Sequence, residues 1–125
     1  MVLGDVSQIR LPAVAASVSD ARHVARDVAA GMPADVAERL ELVVSELASN
    51  AVRHAQTSFM LSILTEPSLR VEVADGSSAL PTPRQPGPWS EGGRGLWLVA
   101  ACTECWGVTR RGSGKSVWAD LGPIH

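Results

Sequence analysis

Within a chain of 125 residues, the segment "ELASNAVRHA" (46–55) sets a glutamate, an asparagine and a histidine four residues apart, at Glu46, Asn50 and His54. In a helix, positions i, i+4 and i+8 stack along one side. At about 100° per residue, Asn50 falls roughly 70° and His54 roughly 30° from the centre of the apolar stripe, with Glu46 at its margin. All three therefore border the face that packs against the rest of the protein. A glutamate there could take a proton from a hydroxyl or a water. An asparagine offers a neutral carbonyl oxygen to Mg²⁺, which prefers oxygen ligands and keeps most of its waters. The same stripe also suits a satisfied amide and a core histidine, so the choice rests on what accompanies it.

Two further segments have the chemistry of a magnesium–phosphate site. "GGRGLW" places Gly92, Gly93 and Gly95 at the entry to an expected helix. Glycines let backbone N–H groups approach a phosphate, and the helix N-terminus adds about half a positive charge. Arg94 sits among them, where its guanidinium could contact a phosphate. Asp75 ends the strand-like "RVEVA", where a carboxylate could accept the exocyclic amine of adenine. Asp-Gly is also a hairpin signal, but the proline-rich segment that follows supplies no partner strand.

Two other patterns are set aside. "GSGKS" (112–116) resembles the end of a phosphate-binding loop, but that motif needs a glycine where Thr109 stands. It must also open a helix, and "VWADLGPIH" is strand-like, so the segment reads as a tight turn with Ser116 beginning the last strand. Cys102 and Cys105 form C-x-x-C at the end of an expected helix. A redox pair wants its first thiol at a helix N-terminus, and the three histidines show no ligand spacing with the cysteines. Packing cysteines are the expectation.

The elements that must position these residues follow from periodicity. "DVSQIR" reads as a short strand. Ser17 and Asp20 form a capping-box variant opening a helix that runs to Gly31. Pro33 in the first turn starts a second helix, with Val36, Leu40, Val43, Val44, Leu47 and Ala51 as its buried stripe. "FMLSIL" and "LRVEVA" read as a hairpin joined by "TEPS", with Val71 and Val73 inward. Four prolines in "DGSSALPTPRQPGPWSEGG" forbid regular structure, and a loop this long is usually functional. "RGLWLVAACTEC" reads as a helix, and "WGVTRR" and "SVWADL" as a closing hairpin. Trp118 faces away from Val117, Ala119 and Leu121, half-buried or under a homodimer contact, with burial favoured. The result is one α+β domain over residues 1–125, a two-layer α/β sandwich with a mostly antiparallel sheet and helices on one face.

Composition limits the function classes. The formal charge is −2 and the pI about 5.9, so no basic field points to nucleic acid or an anionic membrane. The run "LWLVAAC" is far shorter than the roughly 20 residues a spanning helix needs. The start "MVLGDVSQIR" lacks the regions of a signal peptide, so a cytoplasmic location is expected.

Taken in order, "ELASNAVRHA", "VEVADGSSALP" and "EGGRGLWLV" resemble the motifs of the GHKL ATPase superfamily. Within it, the chain is similar to the small anti-sigma factor serine/threonine kinases, over nearly its whole length. The resemblance implies a Bergerat ATP-binding fold with ATP and Mg²⁺ between the helices and the proline-rich lid. It implies that Asn50 is a Mg²⁺ ligand, that Glu46 activates the attacking hydroxyl, and that Arg53 and His54 line the nucleotide site. Asp75 matches the adenine-binding aspartate, and Gly93, Arg94, Gly95 and Leu96 the second glycine box. Ser116 takes the place of a hydroxyl residue near adenine and Asp75. The superfamily's first glycine box is D-x-G-x-G, whereas Asp75 is followed by Gly-Ser-Ser, so Ser77 replaces the glycine nearest the base. The implied activity is transfer of the ATP γ-phosphate to a serine or threonine of a STAS-type anti-anti-sigma protein, with sequestration of a sigma factor. The alternative is a non-catalytic protein-binding regulator with weak or absent nucleotide binding.

Overall fold

The computed structural model describes residues 6–54, 57–76, 103–112 and 114–124. Five strands and two helices follow one another as β1 (Val6–Leu11), α1 (Ala16–Ala29), α2 (Ala34–His54), β2 (Phe59–Leu64), β3 (Leu69–Asp75), β4 (Cys105–Arg111) and β5 (Gly114–Gly122). The strands form one sheet in the order β1-β2-β3-β5-β4, every neighbour antiparallel. Both helices pack on one face of it, giving the expected α+β sandwich. The proline-rich segment, the second glycine box and most of the expected third helix lie outside the described residues.

Alternation decides which side chains meet the helices. Leu61 and Ile63 of β2, Leu69, Val71 and Val73 of β3, and Val117, Ala119 and Leu121 of β5 are all buried inward. Against them lies the stripe of α2, with Leu40, Val43, Val44 and Leu47 almost fully excluded from water. Each large aliphatic side chain so buried contributes about 1.5–3 kcal/mol relative to exposure. The sheet's other face is polar. There Gln8 donates to Ser62 at 3.0 Å, Arg70 pairs with Glu72 at 2.9 Å, and the Arg70 guanidinium lies 4.3 Å from the centroid of the Trp118 ring. Trp118 is half-buried, opposite Gly107 on β4.

Three local expectations need correction. Ser17 does not cap α1: it lies inside the helix, almost fully buried, and donates to the Pro12 carbonyl at 2.6 Å. The helix begins earlier because the chain at Ala15 is already helical, and Ser17 N–H and Val18 N–H bond back to Val14 and Ala15. Pro33 stands just before α2, where its carbonyl accepts from Val36 and Ala37. The expected third helix does not reach Cys105. Glu104 N–H bonds the Asp120 carbonyl at 2.8 Å and Cys105 pairs with Asp120, so the β-ladder claims the segment first. Cys105 is exposed at the start of β4 and is no packing residue; Cys102 lies outside the described residues.

Candidate functional site

The last two turns of α2 lie over the ends of β3 and β5, where a narrow cleft opens. Leu47, Asn50, Ala51 and His54 line it from the helix, and Val73, Asp75, Lys115 and Val117 from the strands. Residues far apart in sequence thus meet because helical spacing on one side faces period-two alternation on the other. Asn50, His54 and Asp75 converge as the sequence suggests. Glu46 is half-exposed one turn before Asn50 on α2, outside the cleft lining.

Asn50 is only 7% exposed. Its Oδ1 accepts from Arg53 Nη2 at 3.3 Å, while its Nδ2 is buried without a partner among the described residues. Leaving such a group unsatisfied costs about 1–3 kcal/mol. An amide held there by the fold keeps unused hydrogen-bonding capacity in a residue that lines the cleft. Arg53 and His54, both exposed, close the end of α2. The His54 pKa is lowered, first by partial loss of water around the ring and then by the positive charges of Arg53 and Lys115.

The strand side holds a residue the motifs did not single out. Lys115 is 4% exposed and its Nζ contacts both carboxylate oxygens of Asp75, at 3.2 and 3.1 Å; the Asp75 side chain is 2% exposed. Asp75 and Lys115 are paired across the β3–β5 ladder. The backbones are close here: a Cβ at Gly114 would overlap the Asp75 carbonyl oxygen and come 3.1 Å from the Gly76 Cα. Gly76 N–H in turn bonds Thr57 Oγ1 at 3.3 Å, tying the strand end to the segment after α2.

The expectation for Ser116 is corrected by the same ladder. Ser116 pairs with Ala74 and donates to Glu72 Oε1 at 3.5 Å on the polar face of the sheet, away from Asp75. Parity gives the reason. Since Val117, Ala119 and Leu121 point inward, Lys115 must point inward and Ser116 outward, because a one-residue step crosses the sheet. That signal was present in "GKSVWADL". Ser77, Gly93, Arg94, Gly95 and Leu96 lie outside the described residues.

The donor set fits a magnesium nucleotide in kind. Among the described residues no group of three His, Cys, Asp or Glu side chains could hold a metal. Mg²⁺ needs none, since it commonly binds through one or two protein oxygens, several waters and the substrate's phosphates. A buried amide beside a cationic helix end meets that requirement. A buried carboxylate lined by Val73 and Val117 offers a base both an acceptor and apolar faces. Among the described residues no helix is long and apolar enough to cross a membrane.

Comparison with known proteins gives the same frame. Residues 11–121 match the family of histidine kinase-like ATPase domains. No curated protein matches the sequence. Among solved structures, the RsbU and RsbW domains of Rv1364c from Mycobacterium tuberculosis align over 92% of this chain and 31% of theirs, with a TM-score of 0.69 and 16% identity. The histidine kinase domain of the blue-light activated histidine kinase EL346 from Erythrobacter litoralis aligns over 90% of this chain and 61% of its own, with a TM-score of 0.54 and 25% identity. The chain spans less than two thirds of either protein's length. At 16% identity the first likeness is one of fold.

Proposed function

This chain belongs to the histidine kinase-like ATPase family, and on that premise we propose that residues 1–125 form one ATP-binding domain that acts as a protein serine/threonine kinase. Its acceptor would be a serine or threonine of a small STAS-type antagonist, and its regulatory partner a sigma factor. The observation that carries this reading is the convergence of Asn50 and Asp75 on one cleft, the amide with an unpartnered Nδ2 and the carboxylate on the cleft floor.

Bound Mg-ATP supplies the γ-phosphoryl group and the cation that neutralises its charge. Asn50 is the residue suited to hold the metal, and Arg53, which donates to Asn50 Oδ1 at 3.3 Å, would meet the anionic ligand. Arg53 opposes the negative charge at the end of α2. Glu46, half-exposed one turn before Asn50 on α2, would accept the proton of an incoming hydroxyl. Asp75 accepts from the base. The expected product is a phosphorylated side chain on the partner.

A second reading is favoured by one observation: Glu46 does not line the cleft. On that reading the domain binds a partner protein, binds nucleotide weakly or not at all, and transfers nothing. Two measurements separate the readings. Titration with a fluorescent ATP analogue and Mg²⁺ should saturate, and failure to bind at millimolar ligand excludes the kinase. Incubation with radiolabelled ATP, Mg²⁺ and lysate of the source cell should label a small protein. Glu46→Ala should keep nucleotide binding and lose the label; an unchanged rate would refute its role.

A further inference from the structure

The residue facing Asp75 is a lysine, and a buried ammonium at a base-binding carboxylate changes what that site can read. We infer that Lys115 is a specificity-determining residue of the nucleotide site, donating a hydrogen bond to the base beside the one Asp75 accepts. The inference rests on the ATP-binding reading above and adds the residue that reads the second position of the base edge.

Lys115 and Asp75 occupy directly paired positions on neighbouring strands, both on the inner face and both lining the cleft. Their charged atoms lie 3.1 and 3.2 Å apart and are almost fully excluded from water. The ammonium is not exhausted by the pair. An ammonium has three N–H donors, of which the two contacts to Asp75 use at most two, and a carboxylate has about four lone-pair sites. The pair therefore offers a donor and an acceptor side by side. Because the two charges cancel locally, a neutral base can lie against it without meeting an isolated buried ion. The Watson–Crick edge of adenine has the complementary order: the exocyclic amine donates and the neighbouring ring nitrogen N1 accepts. Asp75 takes the amine and Lys115 donates to N1. Val73, Val117, Leu47 and Ala51 supply apolar lining around the same point.

A bland alternative is that Lys115 only plugs the site, standing where the base amine would bind. The two assignments predict opposite effects. The experiment uses isothermal titration of the native chain with Mg-ATP, with Mg-1-deaza-ATP, which lacks only the N1 acceptor, and with Mg-7-deaza-ATP, which keeps the Watson–Crick edge intact. A hydrogen bond from a charged donor leads to an expected loss of about tenfold or more for the 1-deaza analogue, and little for the 7-deaza analogue. In Lys115→Met and Lys115→Thr, whichever folds, the ratio between ATP and 1-deaza-ATP should fall to near one. Equal affinity of the native chain for ATP and 1-deaza-ATP overturns the inference while ATP binding stands. So does a tenfold ratio that persists in a folded Lys115 variant, or tighter ATP binding by that variant than by the native chain. Absence of any ATP binding overturns the nucleotide reading itself.

Discussion

The pair at the cleft floor can be tested for energy as well as for recognition. At 3.1 Å the attraction between the Lys115 ammonium and the Asp75 carboxylate is about 5 kcal/mol at an effective dielectric of about 20. Removing both ions from water offsets most of it, so the intact pair contributes little net stability. Removing one partner is different. With side-chain exposures of 4% and 2%, the remaining charge has no solvent to turn to, and Lys115→Met or Asp75→Leu should each cost about 3–5 kcal/mol. A domain near the middle of the ordinary range, about 10 kcal/mol, stays folded in buffer after such a loss. Replacing both, as Asp75→Leu with Lys115→Met, leaves an apolar contact of similar shape. The double variant should therefore be at least about 3 kcal/mol more stable than the sum of the single effects predicts. Urea unfolding followed by circular dichroism at pH 7 measures all four proteins. Single-variant costs below about 1 kcal/mol, or an additive double variant, would mean that the pair is screened by water and that the floor of the cleft is open.

Three further outcomes follow from the same region. Gly114→Ala forces a methyl group against the backbone of Asp75 and Gly76; overpacking of this kind costs about 1–3 kcal/mol, read as a lower urea midpoint, and an unchanged midpoint contradicts the close approach of β5 to β3. His54 has a pKa below its ordinary value. In the interval between the lowered and ordinary values the unfolded chain binds more protons, so this residue's contribution to stability declines as pH falls from 6.5 through the folded value. NMR titration of its ring should report the lowered value, and an ordinary or raised one would contradict the cationic surroundings. Ser116→Ala removes only a long bond to Glu72 on the polar face, so it should cost about 1 kcal/mol or less and leave nucleotide affinity unchanged; a clear affinity loss by titration would restore Ser116 to the site.

The buried stripe of α2 and the inward residues of β2, β3 and β5 are legible without coordinates, because burial follows helical and strand periods that the chain carries locally. Those periods are enough to give the α+β architecture and to put Asn50 and His54 on the side of the helix that faces the sheet. Even the inward direction of Lys115 is written in the alternation of "GKSVWADL". What alternation leaves open is which strand lies beside which. The pairing of Asp75 with Lys115 requires β5 to enter between β3 and β4 in the sheet, and that order is set by long-range packing. Capping at Ser17 and the reach of a helix toward Cys105 failed for the same reason. At each, a local preference met a competing partner distant in sequence or already in place, a Pro12 carbonyl in one case and the Asp120 backbone in the other. A lone sequence names the groups and the faces they occupy; only the assembled sheet decides which charges meet, because an ion pair across two strands depends on register between segments that share no local signal.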